Sequence, residues 1–447
     1  MKRILALLLL LTAGPVLAQQ APAIPNETNE PASPAESAEQ KPTQQPEESV
    51  FEKLAADPNN RRHRRAAGDG WFSIPNTNTD LRFGGFVQLN VIHDFEDTGY
   101  PFGDFIPAQI PVPTDDTPNT EFDVRTSRFT FESRSLTEEA GSISTMISMD
   151  FAGDPTEGSI QPRLRQAYVT WVGPWSNISF TAGQAWTTYL DLGVWPELFD
   201  LEGPNAMTGT RQGLVRGSYA FGKDQNLIFD VALEQPETAV ANGNGLKDLP
   251  DLVTRLNWQK DWGHLQAAAL GRQLVAESTA GTGRDSAFGW GLSFSGNWLV
   301  PGTKRKDASS DDLGARQDNI RFQIQGGSGT GRYVFDPGAA PTPQDAVYDD
   351  ATATLTPLDE FGAFVAYHHW WSDRWRSEFV YGWVKMDNLT IQPSTALEST
   401  TYAVANLLYR PFRRMDLGLE YYWGERTNKD GQSGHANRLL IGVNFGF

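Results

Sequence analysis

Apolar and polar residues alternate with a period of two from Leu81 to the end of the chain. In the segment 319–325, Ile320, Phe322 and Ile324 alternate with arginine and glutamine, and the last segment repeats the pattern up to Phe447. Such alternation is typical of β-strands with one apolar face and one wet face. The pattern therefore predicts an all-β chain.

About sixteen segments share this pattern, an even number, as expected for a bacterial single-chain barrel. We place them at residues 81–96, 120–134, 141–151, 163–173, 177–186, 210–221, 227–234, 251–259, 263–273, 286–299, 318–326, 359–371, 374–387, 398–410, 413–427 and 435–447. The long connections between them are 97–119, 187–209, 235–250 and 327–358, and these alternate with short ones. Long outer loops and short periplasmic turns are the arrangement of a membrane barrel, although the connection 300–317 is long on the short side.

Tryptophan and tyrosine cluster at the ends of the predicted strands. The clusters are Trp171 with Trp175, Trp258 with Trp262, Trp370 and Trp371 with Trp375, and Tyr421 to Trp423. Aromatic rings of this kind prefer the headgroup region, which predicts two aromatic girdles. A soluble β-sandwich is the alternative, but it rarely sustains so many strands with such uneven loops. We expect a transmembrane antiparallel β-barrel of about sixteen strands, closed by its first and last strands because lipid cannot satisfy an open edge.

The N-terminal part has a different composition. Lys2 and Arg3 precede an apolar run, and Val16 to Ala18 supplies small residues, so residues 1–18 are predicted to be a signal peptide. Residues 19–70 are rich in proline, glutamate and glutamine, which predicts a flexible, disordered periplasmic segment. The barrel is expected to occupy residues 71–447. The chain has no cysteine, which excludes disulfides and thiolate metal sites.

Several motifs in the first half of the barrel region resemble one family. They are the stretch from Gly70 to Val87, Arg125 to Arg128, Arg165 to Val169, Gly183 to Trp186 and Phe199 to Pro204. The chain resembles the DcaP-like trimeric porins over about 71–447. The resemblance implies a homotrimer that passes small anionic solutes, notably carboxylates. The terminal aromatic of the last strand resembles the signature that the outer-membrane barrel assembly machinery reads.

Charge is distributed unevenly between loops and strands. The net charge is −18, but the acidic residues concentrate in the predicted loops, and the recurrent charge within strands is arginine. A lipid-facing arginine near the bilayer midplane costs ~2–4 kcal/mol, so most of these side chains should point inward. Arginines outnumber lysines by 27 to 10, and a guanidinium fork suits anionic groups. The predicted pore-lining residues are Arg128, Arg134, Arg216, Arg255, Arg272, Arg321 and Arg376. For each arginine, an ion pair with an interior carboxylate or snorkelling at a strand end is the alternative.

The third long connection, 187–209, has too many apolar residues for a solvated loop. We expect it to fold inward and narrow the pore, as the corresponding loop does in general porins. Its acidic residues would then face the arginines at a constriction: Asp191, Glu197, Asp200 and Glu202. A contact between subunits is the alternative role for this loop.

These observations favour a channel of a bacterial outer membrane for passive diffusion of small hydrophilic solutes, with a preference for anions such as carboxylates. The expected partners are small anionic solutes, outer-membrane lipid and lipopolysaccharide, the barrel assembly machinery and two further copies of the chain. No cofactor, metal or nucleic acid is expected. One alternative is a barrel-based lipase or protease, but the chain has no cysteine and no G-x-S-x-G motif. Another is a structural or adhesive barrel with a blocked lumen.

Overall fold

The computed structural model describes residues 70–100, 103–137, 139–153, 160–174, 177–281, 283–305 and 316–447. The predicted signal peptide, residues 19–69 and Trp175 lie outside these ranges. Within them, no helix combines the length and the apolar character needed to cross a membrane.

The described ranges are almost entirely β-structure. The strands are β1 (Trp71–Ser73), β2 (Thr79–Asp94), β3 (Asn119–Asp123), β4 (Arg128–Thr137), β5 (Gly141–Asp150), β6 (Arg163–Val172), β7 (Ile178–Trp186), β8 (Arg211–Phe221), β9 (Leu227–Glu234), β10 (Val240–Ala241), β11 (Gly243–Leu246), β12 (Asp251–Lys260), β13 (Gly263–Ser278), β14 (Arg284–Leu299), β15 (Asn319–Ser328), β16 (Ala346–Asp349), β17 (Thr354–Pro357), β18 (Asp359–Trp370), β19 (Trp375–Asp387), β20 (Leu397–Tyr409), β21 (Met415–Asn428) and β22 (Ser433–Gly446). One short helix, α1 (Phe335–Ala339), and 3-10 turns at Pro107–Gln109, Leu192–Val194 and Gly331–Tyr333 lie in the loops.

Sixteen antiparallel strands of the described chain close into a barrel, which confirms the predicted fold class. β3 and β4 count as one of them, because both pair with β2 on either side of a break at 124–127. Closure is made by β2 and β22, which pair from Phe86 opposite Gly446 to Asp94 opposite Arg438. Below that point β1 takes over the same edge of β2. The backbone ladder therefore has no bare edge in the barrel wall.

The largest departures from the predicted strands are on the outer side of the barrel. β13 continues to Ser278, five residues past the expected end at 273, and β11 pairs with this extension. β10, β16 and β17 form a separate small sheet from segments that were predicted as loops. Leu274, Val275 and Ala276 are all buried because loops cover the extension. A strand buried on both faces loses the period-two signal on which the prediction depended.

Large apolar side chains cover the outer face of the barrel, and aromatic residues mark its rims. Trp171, Trp258 and Trp375 lie near the short turns, and Trp258 and Trp375 are 40% exposed. The girdle prediction was wrong for Trp370 and Tyr422, which are both buried inside the barrel. The guanidinium carbon of Arg376 lies 5.7 Å from the ring centroid of Trp370. Successive residues of a strand face opposite sides, so two adjacent tryptophans cannot share one girdle.

Three long loops fold into the barrel: the first over its described residues 95–100 and 103–118, the others over 187–210 and 329–358. Their apolar side chains pack with inward-facing residues of the wall, as Phe105 and Phe199 do against Tyr402 and Tyr422. The barrel interior therefore contains a hydrophobic core formed by loop and wall residues, and this core supports the polar side chains of the loops.

The lipid-facing position Leu419 on β21 offers a test of the fold. An arginine there should lower the free energy of unfolding by ~2–4 kcal/mol, because its charge would lie in hydrocarbon. Urea unfolding in lipid vesicles, followed by tryptophan fluorescence, measures this change. Glu425→Arg, on the same face near the outer end of β21, is the control and should cost less than about 1 kcal/mol. Equal costs would contradict the membrane placement.

Candidate functional site in the barrel interior

The loop 187–210 crosses the barrel along its inner wall. Its first residues, Thr187 and Thr188, donate to Glu234 on β9, and Asp191 then reaches β13 and β14. The carboxylate of Asp191 accepts a hydrogen bond from Ser295 Oγ at 2.7 Å and lies 2.9 Å from His264 Nε2. Burial alone would raise the pKa of Asp191, but His264, Ser295 and the Gly193 N–H together hold it below its ordinary value. Asp191 is thus a charged anchor of the loop.

The middle of the loop is held by arginines of β15 and β19. Arg376 makes a two-pronged contact with Glu197, with Nε–Oε2 and Nη2–Oε1 distances of 2.8 and 2.9 Å, and also donates to Asp416. Arg321 donates to the carbonyl oxygen of Trp195 at 3.0 Å. Two parallel hydrogen bonds between a guanidinium and a carboxylate fix the relative orientation of the two groups as well as their distance.

The farthest point of the loop is Phe199, which reaches the closing strands. Its N–H donates to the carboxylate of Glu420 at 3.0 Å, and its carbonyl oxygen accepts from Gln88 at 2.8 Å. Its ring lies directly on Gly418 and Gly442, where any added Cβ would overlap ring carbons. These two glycines therefore form a niche that admits the ring because they have no side chain.

The returning half of the loop lies on β20 and β15, and the loop 329–358 covers it. Asn205 donates to Thr400 Oγ1 at 2.9 Å, and the Gly209 N–H donates to the Tyr333 carbonyl at 2.7 Å. The ring of Phe335 packs on that of Trp195, with centroids 5.4 Å apart. The anchored loop thus contacts the wall on β9, β12 to β15, β18 to β22 and β2, and it faces the wall formed by β4 to β6.

All seven arginines predicted to line the pore lie on the inner face, in two functional settings. Arg255, Arg272, Arg321 and Arg376 contact inward-folded loops: Arg255 Nη1 donates to the Leu190 carbonyl oxygen, and Arg272 is fully buried between Asp251 and Asp345. The other three lie elsewhere on the wall: Arg128 over the ring of Phe86, Arg216 near Asp230, and Arg134 beside Asp80 towards the periplasmic end. Four of the seven therefore contact the inward loops directly.

Sequence reasoning missed a cluster of arginines at the outer ends of β6 and β8. Arg163 Nη2 and Arg165 Nη1 both donate to Asp150 Oδ2, at 2.8 and 2.6 Å. Arg211 stacks on Trp186, with its guanidinium carbon 4.8 Å from the ring centroid. Together with Arg128, these side chains place four guanidinium groups near one aspartate on this stretch of wall.

Acidic residues of two inward loops face this cluster. Burial raises the pKa of Glu202, while Arg211, Arg163 and Arg165 oppose that rise. Burial also raises the pKa of Asp200 to about 6, against hydrogen bonds from the N–H groups of Glu202 and Phe105. The neighbouring Asp104 has its pKa raised by the same cause, with Asp200 and Glu202 adding to it. An arginine wall and an acidic loop surface thus confront each other inside the barrel, which creates a transverse field.

The group Ser295, Asp191 and His264 contains the residue types of a hydrolase, but its connections differ. The serine donates to the aspartate, and the aspartate lies between the serine and the histidine. Nucleophilic catalysis requires the histidine to contact the serine, so that it can accept the hydroxyl proton. In this arrangement the three residues hold the loop.

A closed sixteen-stranded wall with an inward-folded, charged loop defines a channel-type barrel of the outer membrane. The family model for DcaP outer membrane protein matches residues 64–446, and the chain therefore belongs to this family of outer-membrane porins. This confirms the resemblance and the outer-membrane location. A comparison with curated proteins gave no match.

Solved structures show the same fold at low sequence identity. The outer membrane channel DcaP of Acinetobacter baumannii is 20% identical, with a TM-score of 0.69, over 84% of this chain and 99% of that one. An anion-selective porin from Comamonas acidovorans has a TM-score of 0.53 at 8% identity, over 83% and 100% of the two chains. The trimer form of OmpT from Vibrio cholerae has a TM-score of 0.50 at 12% identity, over 83% and 99%.

The glycine niche generates a test of the loop position. In Gly442→Ala the new methyl group overlaps the ring of Phe199, so the ring must leave the niche and the loop should move towards the lumen axis or become mobile. Single-channel conductance in a planar bilayer should then differ from wild type and fluctuate more. Gly84→Ala is the control, because the nearest atom to its Cβ would be 3.7 Å away. An unchanged trace for Gly442→Ala would contradict the proposed seating of the loop.

Proposed function

We propose that this porin lets small hydrophilic anions, carboxylates foremost, diffuse passively across the outer membrane, and that it acts as a homotrimer. The observation that carries the proposal is the arginine cluster of Arg128, Arg163, Arg165 and Arg211, which faces the acidic residues of the inward loops. Charged groups that line a constriction select ions by sign. The solved structures of a trimeric protein and of an anion-selective porin show only that proteins with these properties have the same fold.

The charge balance at this position favours anions. Arginine side chains carry their positive charge throughout the physiological pH range. Asp150 accepts hydrogen bonds from two of the four arginines, and Asp104, Asp200 and Glu202 stand opposite. Because burial raises the pKa of these three acids, they hold protons more readily than solvated carboxylates do. Protonation of these acids shifts the local balance of charge towards the positive wall.

The wall below the cluster continues the basic character. Arg216 and Arg255 lie near Gln166 and Tyr168 around a small internal cavity. Arg255 forms an ion pair with Asp230 at 2.7 Å, and the same aspartate lies near Arg216. An anion that leaves the upper cluster would therefore meet further guanidinium groups along β8 and β12.

Reversal potentials in a salt gradient test the selectivity. The wild type should pass anions in preference to cations. Arg211→Gln should lower the anion-to-cation permeability ratio several-fold, because two unit charges about 4 Å apart interact by about 1 kcal/mol in water. Arg284→Gln is the control, because Arg284 is exposed at the outer end of β14 and paired with Asp248. A cation-selective wild type would refute the anion preference. Absence of stepwise openings, with hydrolysis that depends on His264, would instead favour an enzyme.

The raised pKa values predict how selectivity changes with pH. Between pH 7.5 and pH 5, Asp200 gains a proton and loses its negative charge, and the raised pKa values of Glu202 and Asp104 act in the same direction. Anion preference should therefore increase as pH falls. Reversal potentials measured across this range would show it. The double variant Asp200→Asn/Glu202→Gln should be more anion-selective than the wild type at pH 7.5, and its selectivity should change less as pH falls. The same change in both proteins would contradict the assignment of the pH response to these two acids.

A further inference from the structure

The long connection between β14 and β15 lies on the side of the barrel that otherwise has short turns. Its described ends, 300–305 and 316–318, are tied to the turn between β18 and β19. Arg305 donates to the carbonyl oxygens of Trp370 and Trp371 at 3.2 Å, and Arg316 Nε donates to the Asp373 carbonyl at 3.0 Å. The described ends of the connection are thus held against the neighbouring turn.

A cavity of about 650 Å³ opens between this connection and that turn. The lining residues are Thr303, Lys304, Arg305, Ser372, Asp373, Arg374, Trp375 and Tyr409. Three of these are basic and one is acidic. Arg305 and Asp373 lie 3.4 Å apart and offset each other, which leaves a net positive charge from Lys304 and Arg374.

Lys304 and Arg374 are available to a ligand. Both residues are exposed, and neither side chain makes a hydrogen bond or ion pair with any residue in the described part of the chain. The hydroxyls of the pocket are already engaged: Ser372 Oγ accepts from the Arg374 and Trp375 N–H groups, and Thr303 Oγ1 donates to the Val300 carbonyl. The polar groups that the pocket offers to a ligand are therefore the two cationic side chains.

The remaining wall of the pocket is aromatic and belongs to the outer face of the barrel. The rings of Trp375 and Tyr409 stack with centroids 4.4 Å apart and an interplanar angle of 24°. Both residues lie at the periplasmic ends of their strands, and Trp371 and Phe412 nearby are 55% and 57% exposed. Rings at this level lie among lipid headgroups. The cationic side chains of the pocket thus lie on the side of the water, and the stacked rings of Trp375 and Tyr409 lie on the side of the membrane.

We propose that this pocket binds one anionic phospholipid of the periplasmic leaflet, with Lys304 and Arg374 at the phosphate and the Trp375–Tyr409 pair along the glycerol and upper acyl chains. Basic pockets at the membrane edge recognise lipid phosphates by charge. A soluble anion would bind only to the two cationic side chains and would make no contact that requires the Trp375–Tyr409 pair. The phosphodiester with attached chains matches both halves of the pocket.

Native mass spectrometry of the purified full-length protein, titrated with phosphatidylglycerol or phosphatidylcholine, tests this proposal. The wild type should retain phosphatidylglycerol at least about tenfold more tightly, a difference of about 1.4 kcal/mol. Lys304→Gln/Arg374→Gln should lose the preference, whereas Lys304→Arg/Arg374→Lys, which retains both charges, should keep it. The matched control Lys247→Gln/Arg284→Gln removes one exposed lysine and one exposed arginine at the opposite end of the barrel and should bind as wild type.

Equal retention of the two lipids by the wild type would overturn the proposal, as would full retention of phosphatidylglycerol by the double glutamine variant. Competition with glycerol phosphate separates the two sources of phosphate. The proposal expects millimolar glycerol phosphate to leave the bound lipid in place, and displacement would assign the pocket to a soluble anion instead. The lipid site is independent of the pore, so conductance should be the same in all of these variants.

Discussion

The structure depends on one constraint: in a lipid bilayer, every backbone N–H and C=O group of the wall must find its partner within the protein. The pairing of β2 with β22 meets this requirement, and β1 completes the edge of β2 where β22 has ended. Successive side chains of each strand point to opposite faces of the closed wall, so that apolar residues cover the outside and polar residues point inward. The interior of a closed barrel is then a protected space, and three loops fill part of it with their own hydrophobic cluster.

Inside that space, arginine has two different uses. On β13, β15 and β19 it binds acidic side chains and carbonyl groups of the inward loops, which turns a flexible connection into part of the wall. On β4, β6 and β8 it stands opposite the acids that the anchored loops present. The second arrangement depends on the first, because the position of Glu202 is set by the contacts of Glu197 and Phe199 earlier in the same loop. The net charge of −18 therefore gives no guide to the sign of the pore interior.

The sequence predicted the wall well because contact with lipid enforces strict alternation over many residues. It failed where that alternation is interrupted. Counting inward and outward positions from the exposed Val169 would put Arg163 and Arg165 on the lipid face. A β-bulge between the pairs Ser148–Gln166 and Met149–Leu164 inserts one residue and turns both arginines towards Asp150. Trp186 and Arg211 lie at strand ends beside the loop, where periodicity no longer applies. Which arginines anchor loops was also beyond the sequence, since their partners lie far away along the chain, 179 residues for Arg376 and Glu197 and 335 residues for Arg438 and Gly103.

The seating of Phe199 has a consequence for the order in which the molecule is built. Its niche consists of one glycine from β21 and one from β22, and its carbonyl is bound by Gln88 of β2. These three strands come together only when the barrel closes, whereas the loop itself lies near the middle of the chain. The loop can therefore take its final place only after the last strand has joined the first. Filtering is thus a property acquired at the end of assembly, and an unfinished barrel would have no properly formed filter.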